Sequence, residues 1–313
     1  MSCCVIGGAG FIGAHLVQEL LKTGRDVLVV GRRERGLVSL PDSVAYLQGD
    51  IRNREFIANA LRDVDEIVDL AYSSVPKTSY ESPLLDITDN LPGSVGLFEV
   101  ASKLSLKKML FVSSGGTVYG EPQSMPITED HPTNPISPYG ITKLALEKYA
   151  QMYHKTRALP VVCVRPSNPY GEGQVPFVGQ GFVATAIASM LAGKEIKIFG
   201  PQGTIRDYIY VGDLAKALVA ALDSGVPGEC YNIGSSVGMS NLEVIEQIAV
   251  AAKAQNINPW VTHVPARSFD VTANVLSTKK LFAMSGWQSE TGFDAGIART
   301  WNWYSDGAKG CLA

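Results

Sequence analysis

No stretch of this sequence is apolar for long enough to cross a bilayer. The longest, near 181–193, falls short of the roughly 20 residues a membrane helix needs. Metal ligands are missing as a set. The cysteines stand at 3, 4, 163, 230 and 311 and the histidines at 15, 131, 154 and 263, with no CxxC and no Cys/His spacing suited to zinc. The odd cysteine count argues against a disulfide framework. Cys3, Cys4 and Cys163 fall in apolar strand patterns and read as small core residues of a reducing compartment. An excess of one charge is missing too. The 27 basic and 30 acidic residues are mixed along the chain, which excludes a broad nucleic-acid or anionic-membrane surface. There are no internal repeats and no low-complexity linker. The first strand pattern starts within a few residues of Met1 and leaves no room for a signal peptide. The expectation is a soluble cytoplasmic protein with no metal, nucleic-acid or membrane partner.

What is present is a core-forming chain of 313 residues, 46% hydrophobic, sized for one large domain or two closely joined ones. Short Val/Ile/Leu-rich runs alternate with helical patterns: CCVIGG, the helix FIGAHLVQELLKTG, DVLVVG, VAYLQGD, a helix through REFIANALRDV, and EIVDLA. After a polar loop come a helix over about 84–104, KKMLFVSS, a helix from about Pro138, and PVVCVRP. Strands without polar alternation are buried on both faces, so the fold class is α/β, a doubly wound parallel sheet. After Arg165 the rhythm breaks at a Gly/Pro-punctuated stretch. A helix over 181–193, a short strand at 195–199, a loop, and the helix VGDLAKALVAAL follow. ECYNIG returns to the sheet on strand four's side, and helices over about 240–254 and ending at TWNWY close the chain. The expected division is a Rossmann domain over 1–165, with contributions from about 205–235, and a smaller lobe mainly over 166–313.

Gly7, Gly10 and Gly13 follow the first strand and open the first helix. Gly7 permits the tight turn, Gly10 lets a pyrophosphate approach the backbone, and Gly13 lets helix pack on strand. This context predicts a dinucleotide site. In SPYGITK, Tyr139 and Lys143 are four apart and share a helix face. An ammonium near a phenol lowers the phenol's pKa and fits it for acid–base work.

The GxxGxxG spacing and SPYGITK resemble the extended short-chain dehydrogenase/reductase superfamily. FVSSGGTVYGEP, RPSNPYGEGQ, RDYIYVGDLAKAL and the tail LFAMSGWQ are similar to segments of its nucleotide-sugar branch, above all the UDP-galactose 4-epimerases. That resemblance implies transient oxidation at C4 of a UDP-sugar by a tightly held nicotinamide cofactor, with Tyr139 as base and Lys143 as its support. It implies a cofactor set of Gly7, Gly10, Phe11, Ile12, Gly13, Asp50, Ile51, Leu70, Ala71, Asn90, Ser113 and Pro166, together with Tyr139 and Lys143. It assigns Asn168, Arg206, Arg267 and Asp270 to the substrate, the arginines clamping the diphosphate. It also implies a homodimer through helices at about 84–104 and 137–155.

Two departures stand out. Such epimerases carry Ser or Thr three residues before VYG, where this chain has Gly115. The hydroxyl then comes from Thr117, which is preferred, or Ser114, or is absent. Members that bind NAD end strand two on Asp, whereas this chain has Gly31, Arg32 and Arg33. Guanidinium groups suit the 2′-phosphate of NADP; the other reading is NAD with two solvated arginines. Dehydratases and decarboxylases of the branch need an acidic residue just before VYG, where Thr117 follows Gly116. The remaining alternatives are an NADPH-dependent nucleotide-4-keto-sugar reductase and a catalytically silent cofactor-sensing protein.

Overall fold

A computed structural model describes residues 1–33, 40–266 and 271–307. The first half runs β1 (Ser2–Ile6), α1 (Phe11–Lys22), β2 (Asp26–Gly31), β3 (Ala45–Gln48), α2 (Arg54–Ala60), β4 (Glu66–Asp69), α3 (Pro76–Glu81), α4 (Pro83–Ala101), β5 (Lys108–Val112), α5 (Pro138–Arg157) and β6 (Val161–Pro166). The second runs β7 (Asn168–Tyr170), α6 (Phe182–Leu191), β8 (Ile196–Phe199), β9 (Ile205–Tyr210), α7 (Val211–Ser224), β10 (Cys230–Ile233), β11 (Gly238–Ser240), α8 (Asn241–Ala252), β12 (Val261–Val264), β13 (Ala273–Asn274), α9 (Lys279–Ser285) and α10 (Phe293–Gly307).

Seven strands form a parallel sheet in the order β10-β6-β5-β4-β1-β2-β3. Alternate residues leave a strand on opposite faces, and here both faces are covered. Cys3 and Val5 of β1, Leu110 and Val112 of β5, and Val162 and Val164 of β6 enter one core with α1 and α7. Cys4 and Ile6, Met109 and Phe111, and Val161 and Cys163 enter the other with α2, α4 and α5. That is why the strands lack polar alternation. Cys3, Cys4, Cys163 and Cys230 are all buried and free, as expected of core residues, and Cys311 lies outside the described residues.

Helix ends follow local chemistry. In α5 the Ser137 hydroxyl accepts from the Gly140 N–H, Pro138 opens the first turn, and His154, Lys155 and Arg157 crowd the last turn, where the helix dipole favours cations. In α8, Ser240 and Glu243 form a reciprocal capping box.

The second half adds a patch of β7, β9, β11 and β13 and a β8–β12 pair. These strands and α6, α8 and α10 enclose a core that includes Tyr170, Ile187, Ile198, Val244 and Trp301. The structure corrects the expected loop before α7, which is strand β9. Its Arg-Asp pair interrupts the apolar pattern because Asp207 is tied in place: the carboxylate accepts from the Ser235 N–H and hydroxyl, each at 2.8 Å, and from the Leu276 N–H at 3.2 Å. The expected polar loop before α4 contains α3, six residues too short to show a period. Among the described residues, no helix is long and apolar enough to cross a membrane.

Candidate active site

A cavity opens at the carboxyl ends of β1, β2 and β4, where the strand order reverses and doubly wound sheets place ligands. Gly7, Gly10, Phe11, Gly31, Arg32, Arg33, Asp50, Ile51, Leu70, Ala71 and Asn90 line it, so the structure brings together most of the expected cofactor set. Tyr46, Tyr72, Ser73, Asp89, Gly173 and Val175 also line it and were not anticipated.

Backbone builds the floor of this cavity. Gly7 turns with φ +81°, and a Cβ there would stand 3.2 Å from the Ala71 N and the Leu70 carbonyl carbon. At Gly13 a Cβ would stand 2.5 Å from the Gly7 oxygen and Gly8 Cα, so α1 sits directly on the turn. The first helical bond runs from the Ala14 N–H to the Gly10 oxygen, leaving the N–H groups of Phe11, Ile12 and Gly13 outside the ladder. Gly10 brings no side chain to cap them. Ile12 contributes backbone only, since its side chain packs on the core.

At the far end of the cavity the side chains take over. The Tyr72 ring stacks edge-on against Tyr139, centroids 4.8 Å apart, and carries the Lys143 ammonium 4.1 Å from its centre. Lys143 Nζ donates to the Val112 carbonyl at 2.8 Å and lies 5.9 Å from the centre of the Tyr139 ring. Burial lowers the Lys143 pKa to about 8, opposed by the charges of Asp69, Glu147 and Asp86. Burial holds the Tyr139 phenol well above its usual range, the Asp86 charge adds to this, and a hydrogen bond with the Ser114 side chain opposes it. The expected lowering of the phenol by Lys143 is therefore not met: the ammonium rests on Tyr72 and Val112, and burial dominates.

The structure also bears on the two candidate hydroxyls. A Cβ at Gly115 would stand 2.5 Å from Leu276 Cδ1 and 2.8 Å from the Arg165 oxygen, so position 115 faces packed protein. Of the two candidate hydroxyls, Ser114 rather than the preferred Thr117 is the one that acts on the Tyr139 phenol. Thr117 Oγ1 is buried without a hydrogen-bond partner among the described residues, as are Ser113 Oγ and Asn274 Oδ1. These orphaned atoms lie around the ends of β5 and β13, and Asn274 Nδ2 donates to the Gly115 oxygen at 3.1 Å. The Pro166 carbonyl accepts from the Gly115 N–H at 2.8 Å, and Asn168 Nδ2 donates to the Asp207 carbonyl at 3.2 Å. Arg206 Nη1 donates to the carbonyl of Ile205, its neighbour in β9. Arg267 and Asp270 lie outside the described residues.

A model of the NAD dependent epimerase/dehydratase family matches residues 3–234. The chain belongs to that family. The UDP-glucose 4-epimerase of Lactobacillus helveticus is 34% identical over 331 residues, covering 99% of each chain. The crystal structure of the Thermus thermophilus UDP-glucose 4-epimerase in complex with NAD matches with a TM-score of 0.91 and 35% identity, covering 98% of this chain and 100% of that one. The Thermotoga maritima UDP-glucose 4-epimerase with UDP-glucose matches with a TM-score of 0.92 and 30% identity, covering 99% and 100%.

The cofactor of an epimerase/dehydratase family member, NAD, suits the residues present. The uncapped first turn of α1 offers N–H groups to a pyrophosphate, and Leu70, Ala71 and Asn90 continue the cavity from the glycine turn toward Tyr72 and Tyr139. At the adenosine end, a Cβ at Gly31 would stand 2.5 Å from the Tyr46 hydroxyl, which donates to the Arg33 carbonyl. The ribose carboxylate common in NAD-binding members has no room there unless Tyr46 moves. Asp50 is held below the usual carboxylate range by its hydrogen bonds to Arg52. Among the described residues, no group of His, Cys, Asp and Glu is arranged to hold a metal.

Two residues escaped the sequence reading for one reason. Asp69 and Asp86 are carboxylates buried within secondary-structure elements, and burial pushes Asp69 up to about 6. Asp86 stands four residues before Asn90 on the same face of α4, which was the available signal.

Proposed function

We propose that the chain is a nucleotide-sugar 4-epimerase acting on a UDP-hexose, the glucose/galactose pair or their N-acetyl forms. The observation that carries this is Tyr139 and buried Lys143 brought together on the ring of Tyr72, which lines the dinucleotide cavity. The relatives named above, UDP-glucose 4-epimerases matched over nearly their whole length, support it. When bound, the nicotinamide supplies reversible hydride acceptance at C4 of the sugar. The chain supplies the proton chemistry: Tyr139 takes the proton of the 4-hydroxyl and gives it back, and Ser114 orients that oxygen. Lys143 keeps a positive charge near Tyr139, and the positive charge that an oxidised nicotinamide would bring to the site favours the phenolate that burial alone disfavours. Arg206 and Arg267 clamp the nucleotide diphosphate, Asn168 bonds the nucleotide-sugar near the phosphates and Asp270 bonds the nucleotide ribose, in a lobe built mainly from 166–313.

The finer cofactor reading is NADP. Its support is the Gly31–Tyr46 contact, which disfavours a carboxylate, and Arg32 and Arg33 lining the same cavity. The same feature favours the second reading, an NADPH-dependent nucleotide-4-keto-sugar reductase. The buried Tyr139 and Lys143 count against a silent binding protein. A homodimer in the cytoplasm is the setting we assign. Leu84 and Ile87 of α4 and Ile141, Tyr149 and Met152 of α5 expose a stripe of apolar side chains suited to a helix-on-helix interface.

The test is turnover of UDP-, dTDP- and GDP-sugars without added cofactor. A 4-epimer of a UDP-hexose with no net change in nicotinamide absorbance is expected. Continuous NADPH oxidation with a 4-keto sugar, and no 4-epimer from any UDP-hexose, would move the assignment to reductase. Arg32→Ala is expected to weaken NADP by about ten- to a hundredfold, since a hydrogen bond to a charged group contributes roughly 1.5–3 kcal/mol, and to leave NAD unchanged.

A further inference from the structure

Asp86 is 1% exposed and lies on α4 facing α5, outside every role assigned so far. Its carboxylate collects three hydroxyls from two segments. Thr142 Oγ1 of α5 donates to Oδ2 at 2.6 Å, and Ser74 Oγ, in the loop after β4, donates to Oδ1. The Tyr72 hydroxyl donates to both oxygens, at 3.3 and 3.4 Å. Asn90, a cavity residue, is tied into the same group: its Nδ2 donates to the Asp86 backbone carbonyl at 2.8 Å and to Ser74 Oγ at 3.3 Å.

Tyr72 is the link to the chemistry. Its ring touches Tyr139 on one side and carries Lys143 on its face. A cation rests on an aromatic face by attraction to the ring's negative quadrupole, and a phenol donating to a carboxylate is the more electron-rich ring. Resting on the epimerase reading above, we infer that Asp86 is a positioning residue of this site, anchoring the ring that touches both Tyr139 and Lys143 and supplying a negative charge that both groups share.

The electrostatics give the inference a sign. The groups facing Tyr139 are Asp86 from α4, Tyr72 from the loop after β4, Ser114 from the end of β5 and Lys143 from α5. Those facing Lys143 are Asp69 of β4, Asp86 of α4, Glu147 of α5, and the rings of Tyr72, Phe111 and Tyr139. Asp86 makes the Tyr139 proton harder to remove and the Lys143 proton harder to lose. Deleting its charge therefore moves both titrations the same way, to lower pH. A role in packing alone moves neither.

The test is Asp86→Asn, which keeps the shape and removes the charge. Both limbs of the kcat–pH profile are expected to shift down by at least about one unit, the effect of a single charge as far as about 12 Å away at an effective dielectric near 20. Independently of turnover, carbon-13 NMR of lysine-labelled, cofactor-free protein, with Lys143 assigned through Lys143→Met, should show the Lys143 midpoint fall. Thr142→Val removes a donor and leaves the carboxylate less neutralised, so the midpoint should rise. A folded Asp86→Asn protein with an unmoved Lys143 midpoint overturns the inference. If that variant does not fold, Thr142→Val decides, and a midpoint that fails to rise overturns it. A wild-type protein that makes no 4-epimer refutes the epimerase reading alone, because the NMR midpoints need no substrate.

Discussion

The two ends of the site are made of different material. The dinucleotide cradle is backbone, shaped by what Gly7, Gly10 and Gly13 leave out. The tyrosine pocket is side chains, gathered from the loop after β4, from α4 and α5, and from the end of β5. A backbone site depends on close approach and fails when any atom is added. A side-chain pocket depends on charge and hydrogen bonding, and fails when an ionisable atom is removed while the packing stays intact. Breaking each end separately tests that contrast.

The largest effect is expected at the side-chain end. Tyr139→Phe keeps the ring stacked on Tyr72 and removes the hydroxyl. The kcat should fall at least about 10²-fold, the low end for general acid–base catalysis. Nicotinamide cofactor binding, read by calorimetry, should fall far less than kcat. Near-wild-type turnover would remove Tyr139 as the base.

Gly13→Ala is the counterpart at the cradle. Its Cβ would stand 2.5 Å from backbone atoms of the turn. Overpacking of this kind costs about 1–3 kcal/mol, so both denaturant midpoint and cofactor affinity should drop. Whatever cofactor-loaded enzyme remains should turn over at close to the wild-type kcat. A variant that binds cofactor normally but turns over slowly would erase the distinction between the two ends.

Gly115→Ser sharpens the comparison where the ends meet. Position 115 faces Leu276 and the Arg165 carbonyl. The added side chain should destabilise the fold by about 1–3 kcal/mol and bring no gain in activity. A gain in kcat would mean that position 115 reaches the sugar and that Ser114 is the wrong hydroxyl.

The cradle was legible in the sequence because its information is local. Gly7, Gly10 and Gly13 stand close together, after an apolar run and before an amphipathic helix, and the spacing carries the geometry. The parallel sheet was legible because β1, β4, β5 and β6 lack polar alternation. The pocket was legible in its Tyr139–Lys143 pair, which shares a helix, and in Ser114 as one of two candidate hydroxyls. Tyr72, Asp86 and Ser114 reach that pair from earlier, separate segments of the chain, and no period links them. Counting back from VYG offered Thr117 ahead of Ser114 and could not choose between them, since direction around β5 depends on what Leu276 and Arg165 already occupy. Strand β9 stayed hidden because the hydrogen bonds that let Asp207 lie buried come from Ser235 and Leu276, both distant in sequence.

The central claim is that one tyrosine-centred site removes and returns hydrogen at C4 without exchanging it. It is tested most directly with UDP-glucose carrying deuterium at C4, supplied to the purified protein with no free cofactor. UDP-galactose that retains the deuterium at C4, formed by the wild type and not by Tyr139→Phe, is the result the account predicts. Product that has lost the deuterium to solvent, or equal conversion by Tyr139→Phe, would contradict it.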